Sequence, residues 1–183
     1  PMRRLTVHRE SWPLARPFAI SRGSRTTAEV VVAELSEGAV KGRGEGVPYG
    51  RYGETVDGVV AALEAMAETV AGGLDRAALQ AAMPPGAARN ALDCAFWDFE
   101  AKTAGKSVSR LAKIEPPHPL TTAYTLSLDT AEAMGRAAAE QAQRPLLKLK
   151  LTGEGDLERV SAVRRAAPGA RLIVDANEGW SAE

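Results

Sequence analysis

Apolar and polar positions along this chain follow two rhythms, and the passage from one to the other marks its organisation. Residues 4–12 alternate loosely, and 27–36 carry the β-branched run Val30-Val31-Val32 before the turn-like Ser36-Glu37-Gly38. With 39–47 these segments predict a three-stranded antiparallel meander. A helical period follows: Thr55 opens a stretch in which Val56, Val59, Val60, Leu63, Met66, Ala67 and Val70 recur at helical spacing until Gly72-Gly73 ends it. A short helix over 76–82 stops at Pro84-Pro85-Gly86. The segment 87–105 is apolar on nearly every side, with Leu92, Phe96 and Phe99 on one flank and Cys94 and Trp97 on another, so this helix must be covered. Asp93 and Asp98 within it are expected to be paired structural carboxylates rather than catalysts.

The texture changes at Leu120. Residues 121–128 predict a strand, and Asp129 with Glu132 resembles a capping signal for a helix ending before Pro145. A buried strand over 146–151, a helix from about 156 to 167 and a second buried strand over 172–177 follow. Strands alternating with helices call for a parallel sheet joined by right-handed crossovers. The chain thus divides into an α+β part over 2–119 and an alternating β/α part over 120–183.

Composition narrows the function. The 183 residues are 45% apolar, and 23 basic residues cancel 23 acidic ones, so no broad field recommends a nucleic-acid or membrane partner. No apolar run approaches the ~20 residues of a membrane span, and no leader pattern opens the chain, so the expected location is cytoplasmic. Cys94 is the single cysteine, expected to be a small buried thiol, and it excludes an intrachain disulfide. His8 and His118 have no partners at metal-ligand spacing and are expected to be structural or solvated.

Chemistry concentrates in Leu146-Leu147-Lys148-Leu149-Lys150-Leu151 and in Leu172-Ile173-Val174-Asp175-Ala176-Asn177. Side chains two apart on a strand point the same way, so Lys148 and Lys150 share a face, with about 7 Å between their α-carbons. If that face is enclosed, two ammonium groups repel by about 2 kcal/mol at an effective dielectric near 20, which moves one amine toward neutral-pH acid/base work. Asp175 falls at a strand end beside Asn177, a donor set that suits a hard cation such as magnesium. Each motif has a plainer interpretation: Lys-x-Lys as a solvated strand face, and a strand-end Asp as a cap or turn residue. Arg16, Arg22 and Arg25, in a loop expected between the first two strands, either solvate it or clamp an anionic substrate group. The glycine-flanked Arg51-Tyr52 segment is a second expected loop.

The segments WPLARPFAISRGSR, PYGRYGET, GAARNALDCAFWDFEAK, LLKLKL and LIVDANEGW together resemble the enolase superfamily in its muconate-lactonizing enzyme branch, and within it the dipeptide epimerases that act on L-Ala-D/L-Glu. The resemblance implies an N-terminal capping domain over 2–119 and, over 120–183, the first three strands of a modified (β/α) TIM barrel. It implies Lys150 as one acid/base, Lys148 as its tuning partner and a contact of the substrate carboxylate, Asp175 as a magnesium ligand and Asn177 beside the metal. Thr125, Tyr52 and Arg25 fall at substrate-binding positions, Arg25 where the side-chain carboxylate of glutamate is held. The implied reaction is a Mg²⁺-dependent 1,1-proton transfer through an enolate, an isomerase activity in cell-wall peptide metabolism. Cycloisomerases and N-acylamino acid racemases share both motifs. The second acid and the other metal ligands of that family lie on later strands, and three parallel strands cannot close a barrel of eight. The resemblance therefore implies an N-terminal portion, inactive alone, whose partners are a dipeptide and either a complementing C-terminal barrel portion or another copy of the chain. A noncatalytic assembly fragment is the competing expectation.

Overall fold

The computed structural model describes residues 2–20 and 23–181, and the statements below concern those residues. β1 (Arg4–Ile20), β2 (Gly23–Glu37) and β3 (Val40–Gly46) form one sheet in that order. β2 and β3 are antiparallel, with Val31 opposite Gly46 and Glu37 opposite Val40. The meander is as expected, but its first two strands are longer. The segment around Arg16 and Arg25, expected as a loop, continues both strands. Pro13 and Pro17 made it look unlike a strand, yet β1 is an edge strand, where a missing N–H costs no ladder bond. Arg22 lies outside the described residues.

Glycine at every second position of β3 seats a helix directly on the sheet. α4 (Ala87–Ala104) lies so close that a Cβ on Gly44 would stand 2.1 Å from Ala91 O and 2.4 Å from Ala95 N. A Cβ on Gly42 would meet Ala95 O at 2.4 Å, and one on Gly46 would meet Ala87 O at the same distance. The helix answers with Ala87, Ala91 and Ala95, spaced four apart on one row and all buried. Its next flank, with Leu92, Phe96 and Phe99, joins Leu35, Leu63 and Leu79 in the first core.

The expected helix over 55–70 is two helices, α1 (Val56–Glu64) and α2 (Ala67–Ala71). Between them Met66 N donates to Leu63 O at 3.0 Å, the tighter three-residue pattern that breaks the α-helical ladder. Thr55 Oγ1 caps α1 by accepting from Gly58 N at 3.0 Å, and Asp75 caps α3 (Arg76–Ala82) through Ala78 N at 2.8 Å. α5 (Val108–Ala112) follows α4 and was not anticipated. Asp98 accepts from Arg43 N at 2.8 Å and Lys102 Nζ at 2.7 Å, and Asp93 accepts from Gln80 Nε2 at 3.0 Å, the structural roles expected of both. Cys94 is exposed rather than buried, because α4 is covered on two flanks and leaves the row through Asn90 and Cys94 open.

A second sheet, in the order β4 (Tyr124–Leu126), β5 (Leu146–Lys150) and β6 (Arg171–Asp175), is parallel throughout. α6 (Ala131–Glu140) and α7 (Asp156–Ala166) supply the crossovers and pack together, enclosing Leu126, Met134, Ala138, Leu147, Leu149, Leu151 and Val163. The cap of α6 is Thr130, whose Oγ1 accepts from Ala133 N at 3.2 Å, one residue beyond the expected Asp129. β6 was expected to be buried, yet Ile173 and Val174 are each 45% exposed, since among the described residues only β5 pairs with it.

By contact the chain forms two units. One joins residues up to Trp12 with Ala28–Pro117, and the other joins Pro13–Thr27 with the residues from His118 onward. The distal halves of β1 and β2 thus group with the parallel sheet, whereas the sequence draws one boundary near residue 119. No helix among the described residues is long and apolar enough to cross a membrane.

Candidate active site

Leu147 and Leu149 are fully buried against the helices, and strand alternation then turns Lys148 and Lys150 to the other face of β5. Parallel register sets Lys150 opposite Asp175 of β6 and Lys148 opposite Thr125 of β4, so the four residues share that face. Lys150 Nζ lies 2.7 Å and Lys148 Nζ 2.8 Å from one and the same oxygen, Asp175 Oδ2. Asp175 Oδ1 accepts from Asn177 N at 3.0 Å, which places Asn177 immediately beside the carboxylate. The hydrogen bond from Lys148, then that from Lys150, holds the Asp175 carboxyl far below the usual carboxylate range, against the opposing effect of partial burial. Lys150 is only 8% exposed. Amine–amine repulsion, taken alone in the sequence, meets a shared counter-charge here that offsets it.

A cleft of about 790 Å³ lies in the same unit, lined by Leu14, Arg16, Phe18, Arg25, Thr125 and Leu128 among others. It contains two of the expected substrate-binding residues, Arg25 and Thr125, but its walls do not include Lys148, Lys150 or Asp175. Phe18 links the two places. The Arg25 guanidinium and Lys150 Nζ each stand 5.8 Å from the centre of its ring. Arg16 is engaged by Glu140 at 2.9 Å, which leaves Arg25 as the better placed of the two described arginines for an anionic group. Tyr52 belongs to the other unit, in the 3-10 turn Gly50–Tyr52, where it is 76% exposed and its ring lies 5.5 Å from that of Tyr49.

Sequence reasoning missed three residues of this region. Phe18 was hidden in what looked like an arginine-rich loop. Asp156, 8% exposed at the start of α7, accepts from Gly153 N at 2.6 Å, Thr152 N at 3.2 Å, Arg159 Nη1 at 3.1 Å and Trp180 Nε1 at 2.7 Å. Burial pushes its carboxyl up, but the bonds from Trp180, Thr152, Gly153 and Arg159 prevail and hold it below the usual range. The signal available for Asp156 was its place after Gly153-Glu154-Gly155 at a strand-to-helix turn; Trp180 offered none.

The residues present fit a hard cation only in part. Asp175 is a strand-end carboxylate of the right chemistry, with the Asn177 amide adjacent. Among the described residues, no group of three or more His, Cys, Asp or Glu side chains could complete a metal site.

Residues 2–112 match the family described as mandelate racemase / muconate lactonizing enzyme, N-terminal domain. Over its whole length the chain is 47% identical to the L-Ala-D/L-Glu epimerase of Escherichia coli (strain K12), of which it covers 57%. It superposes, over 98% of its residues, on a crystal structure of an enolase family member from Agrobacterium tumefaciens with homology to dipeptide epimerases, with bound sodium and L-Ala-L-Glu. The TM-score is 0.94, the identity 52%, and 55% of that chain is covered. The dipeptide epimerase from Cytophaga hutchinsonii, complexed with Mg and D-Ala-L-Val, matches over 98% of this chain and 52% of its own, with TM-score 0.87 and 27% identity. The chain thus spans about half the length of these relatives.

Proposed function

The chain belongs to the mandelate racemase / muconate lactonizing enzyme family, and from that premise we propose that it forms part of an isomerase, a dipeptide epimerase that inverts the α-carbon of L-Ala-D/L-Glu type substrates. The observation that carries this reading is the convergence of Lys148 and Lys150 on Asp175 at the ends of adjacent parallel strands. Barrel enzymes keep their chemistry at that end of the strands.

In this reading the Lys150 amine takes the α-proton of the dipeptide's C-terminal residue. The electron pair left on that carbon spreads into the adjoining carboxylate to give an enolate, and an acid on the opposite face returns a proton with inverted configuration. Lys148 contacts the same carboxylate of the substrate. Arg25 holds the side-chain carboxylate of glutamate in the cleft it shares with Thr125, and the Phe18 ring stands 5.8 Å from both the Arg25 guanidinium and Lys150 Nζ. Asp175, with Asn177 beside it, would hold one side of a magnesium ion. When bound, that ion supplies positive charge against the enolate. The opposing acid and the remaining ligands are groups other than the described residues.

The test is exchange of the substrate α-proton in deuterated buffer, with L-alanyl-L-glutamate followed by proton NMR. Loss of the α-proton signal with wild-type protein, slowed roughly 10²–10⁴-fold by Lys150→Met, is the expected result. An α-proton retained through long incubation with the intact, folded protein, complementing barrel portion included, rules the reading out.

A further inference from the structure

The turn after β6 is held in a conformation that its own residues disfavour. Asn177 and Glu178 follow one another with φ of 47° and 66°, both in the left-handed region. Asn tolerates that region, whereas Glu adopts it rarely. Such geometry persists only where surrounding groups over-determine it. The backbone bond from Leu151 N to Asp175 O at 3.0 Å extends the ladder by one residue of β5, before the turn begins.

Within the turn Gly179 N donates to Ala176 O at 2.8 Å and Asn177 N to Asp175 Oδ1 at 3.0 Å, and two further contacts tie it to the chain after β5. Gly179 lies flat on the end of β5, where a Cβ would stand 2.6 Å from Thr152 O. The second contact is Asp156, whose Oδ2 accepts from Trp180 Nε1 at 2.7 Å and from Gly153 N at 2.6 Å. One buried carboxylate oxygen therefore ties the turn after Asp175 to the loop after Lys150. Trp180 is 53% exposed, so burial of its ring does not hold it in place; the indole N–H does. Arg159 steadies the carboxylate from the helix side, at 3.1 Å from Asp156 Oδ1 and 2.7 Å from Asp129 O.

We infer that Asp156 is a positioning residue: through Trp180 and Gly153 it fastens the turn that follows Asp175 and carries Asn177 to the chain after Lys150, and so keeps Lys150 in register with Asp175. Its effect on turnover rests on the proton transfer proposed above. The fastening itself rests on geometry alone.

The test compares Asp156→Asn, Asp156→Glu and Trp180→Phe in the nitrogen-15-labelled whole protein. Trp180→Phe removes the indole N–H, and with it one ring of a side chain that is 53% exposed, so its effect is compared with that of Asp156→Asn, which keeps the ring. Amide exchange at Gly153 and the Lys150 Nζ ammonium signal at low temperature report the fastening without any substrate. The expected result is at least tenfold faster Gly153 exchange and a broadened Lys150 Nζ signal in Asp156→Asn, a smaller effect of the same sign in Trp180→Phe, and partial recovery in Asp156→Glu. In the exchange assay with L-alanyl-L-glutamate, kcat falls at least tenfold in Asp156→Asn while KM stays within twofold. A Lys150 Nζ signal unchanged in both Asp156→Asn and Trp180→Phe overturns the inference, since Asp156 then serves only its own helix. Wild-type protein that exchanges no α-proton overturns the proposed function instead, and the ammonium signal still decides the fastening.

Discussion

Lys150 Nζ stands 2.7 Å from Asp175 Oδ2, and that one oxygen also receives Lys148 at 2.8 Å. Two cations on a half-buried strand face are therefore kept together by a single carboxylate. Asp175→Asn keeps the shape and deletes the charge, leaving the ammonium groups to repel by about 3 kcal/mol at an effective dielectric near 20. The variant is expected to unfold at lower urea concentration than wild type, with the deficit shrinking as salt is raised. Lys148→Met placed on top of Asp175→Asn is expected to recover part of the loss. A deficit indifferent to salt and to Lys148→Met would show that packing, not charge, carries it.

Arg25 and Thr125 line one cleft, and the Arg25 guanidinium sits over the Phe18 ring. If that guanidinium holds the glutamate side chain, Arg25→Ala raises KM for L-alanyl-L-glutamate by about tenfold or more and leaves a dipeptide with an apolar C-terminal residue nearly unaffected. Charge-assisted bonds to a carboxylate contribute about 1.5–3 kcal/mol, which sets that scale. Steady-state kinetics on the two substrates make the comparison, and equal losses on both would favour an acylamino-acid racemase or cycloisomerase over the epimerase.

Stability should fall in acid partly through Asp156. Its carboxyl is held below the usual value in the folded chain, so it releases its proton more readily there than in the unfolded chain. The stabilisation is present above the unfolded value of about 3.9 and is lost as pH drops through the lower, folded one. Between pH 6 and pH 3 the wild-type unfolding midpoint is expected to decline more steeply than that of Asp156→Asn. Parallel slopes in a urea titration at each pH would contradict this.

Gly44 has no room for a methyl group, since its Cβ would lie 2.1 Å from Ala91 O. Gly44→Ala must push α4 off the sheet and is expected to cost about 1–3 kcal/mol or more, the scale of an overpacked core. Gly50→Ala, with nothing within 4 Å of its Cβ, is expected to stay within about 0.5 kcal/mol of wild type. Equal urea midpoints for the two variants would refute the seating of the helix on β3.

Much of this was legible before any coordinates. Leucine alternating with lysine sends Leu147 and Leu149 into the core and Lys148 and Lys150 to the opposite face, and no tertiary context is needed to see it. Residues 13–27 were harder. Pro13 and Pro17 are poor strand formers in general and harmless at an edge, and edge position is not a local property. Cys94 misled for a related reason: an apolar helix announces that it will be covered, but not on how many flanks.

The sequence by itself determined most of the elements and their inward faces, because periods of two and 3.6 residues are set by local backbone geometry and survive in any fold. Only the tertiary structure decided which charges meet. Lys150 and Asp175 are 25 residues apart with a helix between them, and Asp156 and Trp180 are 24 apart. Whether such pairs come within 3 Å depends on strand register and on the path of the connecting turns. A shift of one residue in that register would send Asp175 to the other face of the sheet.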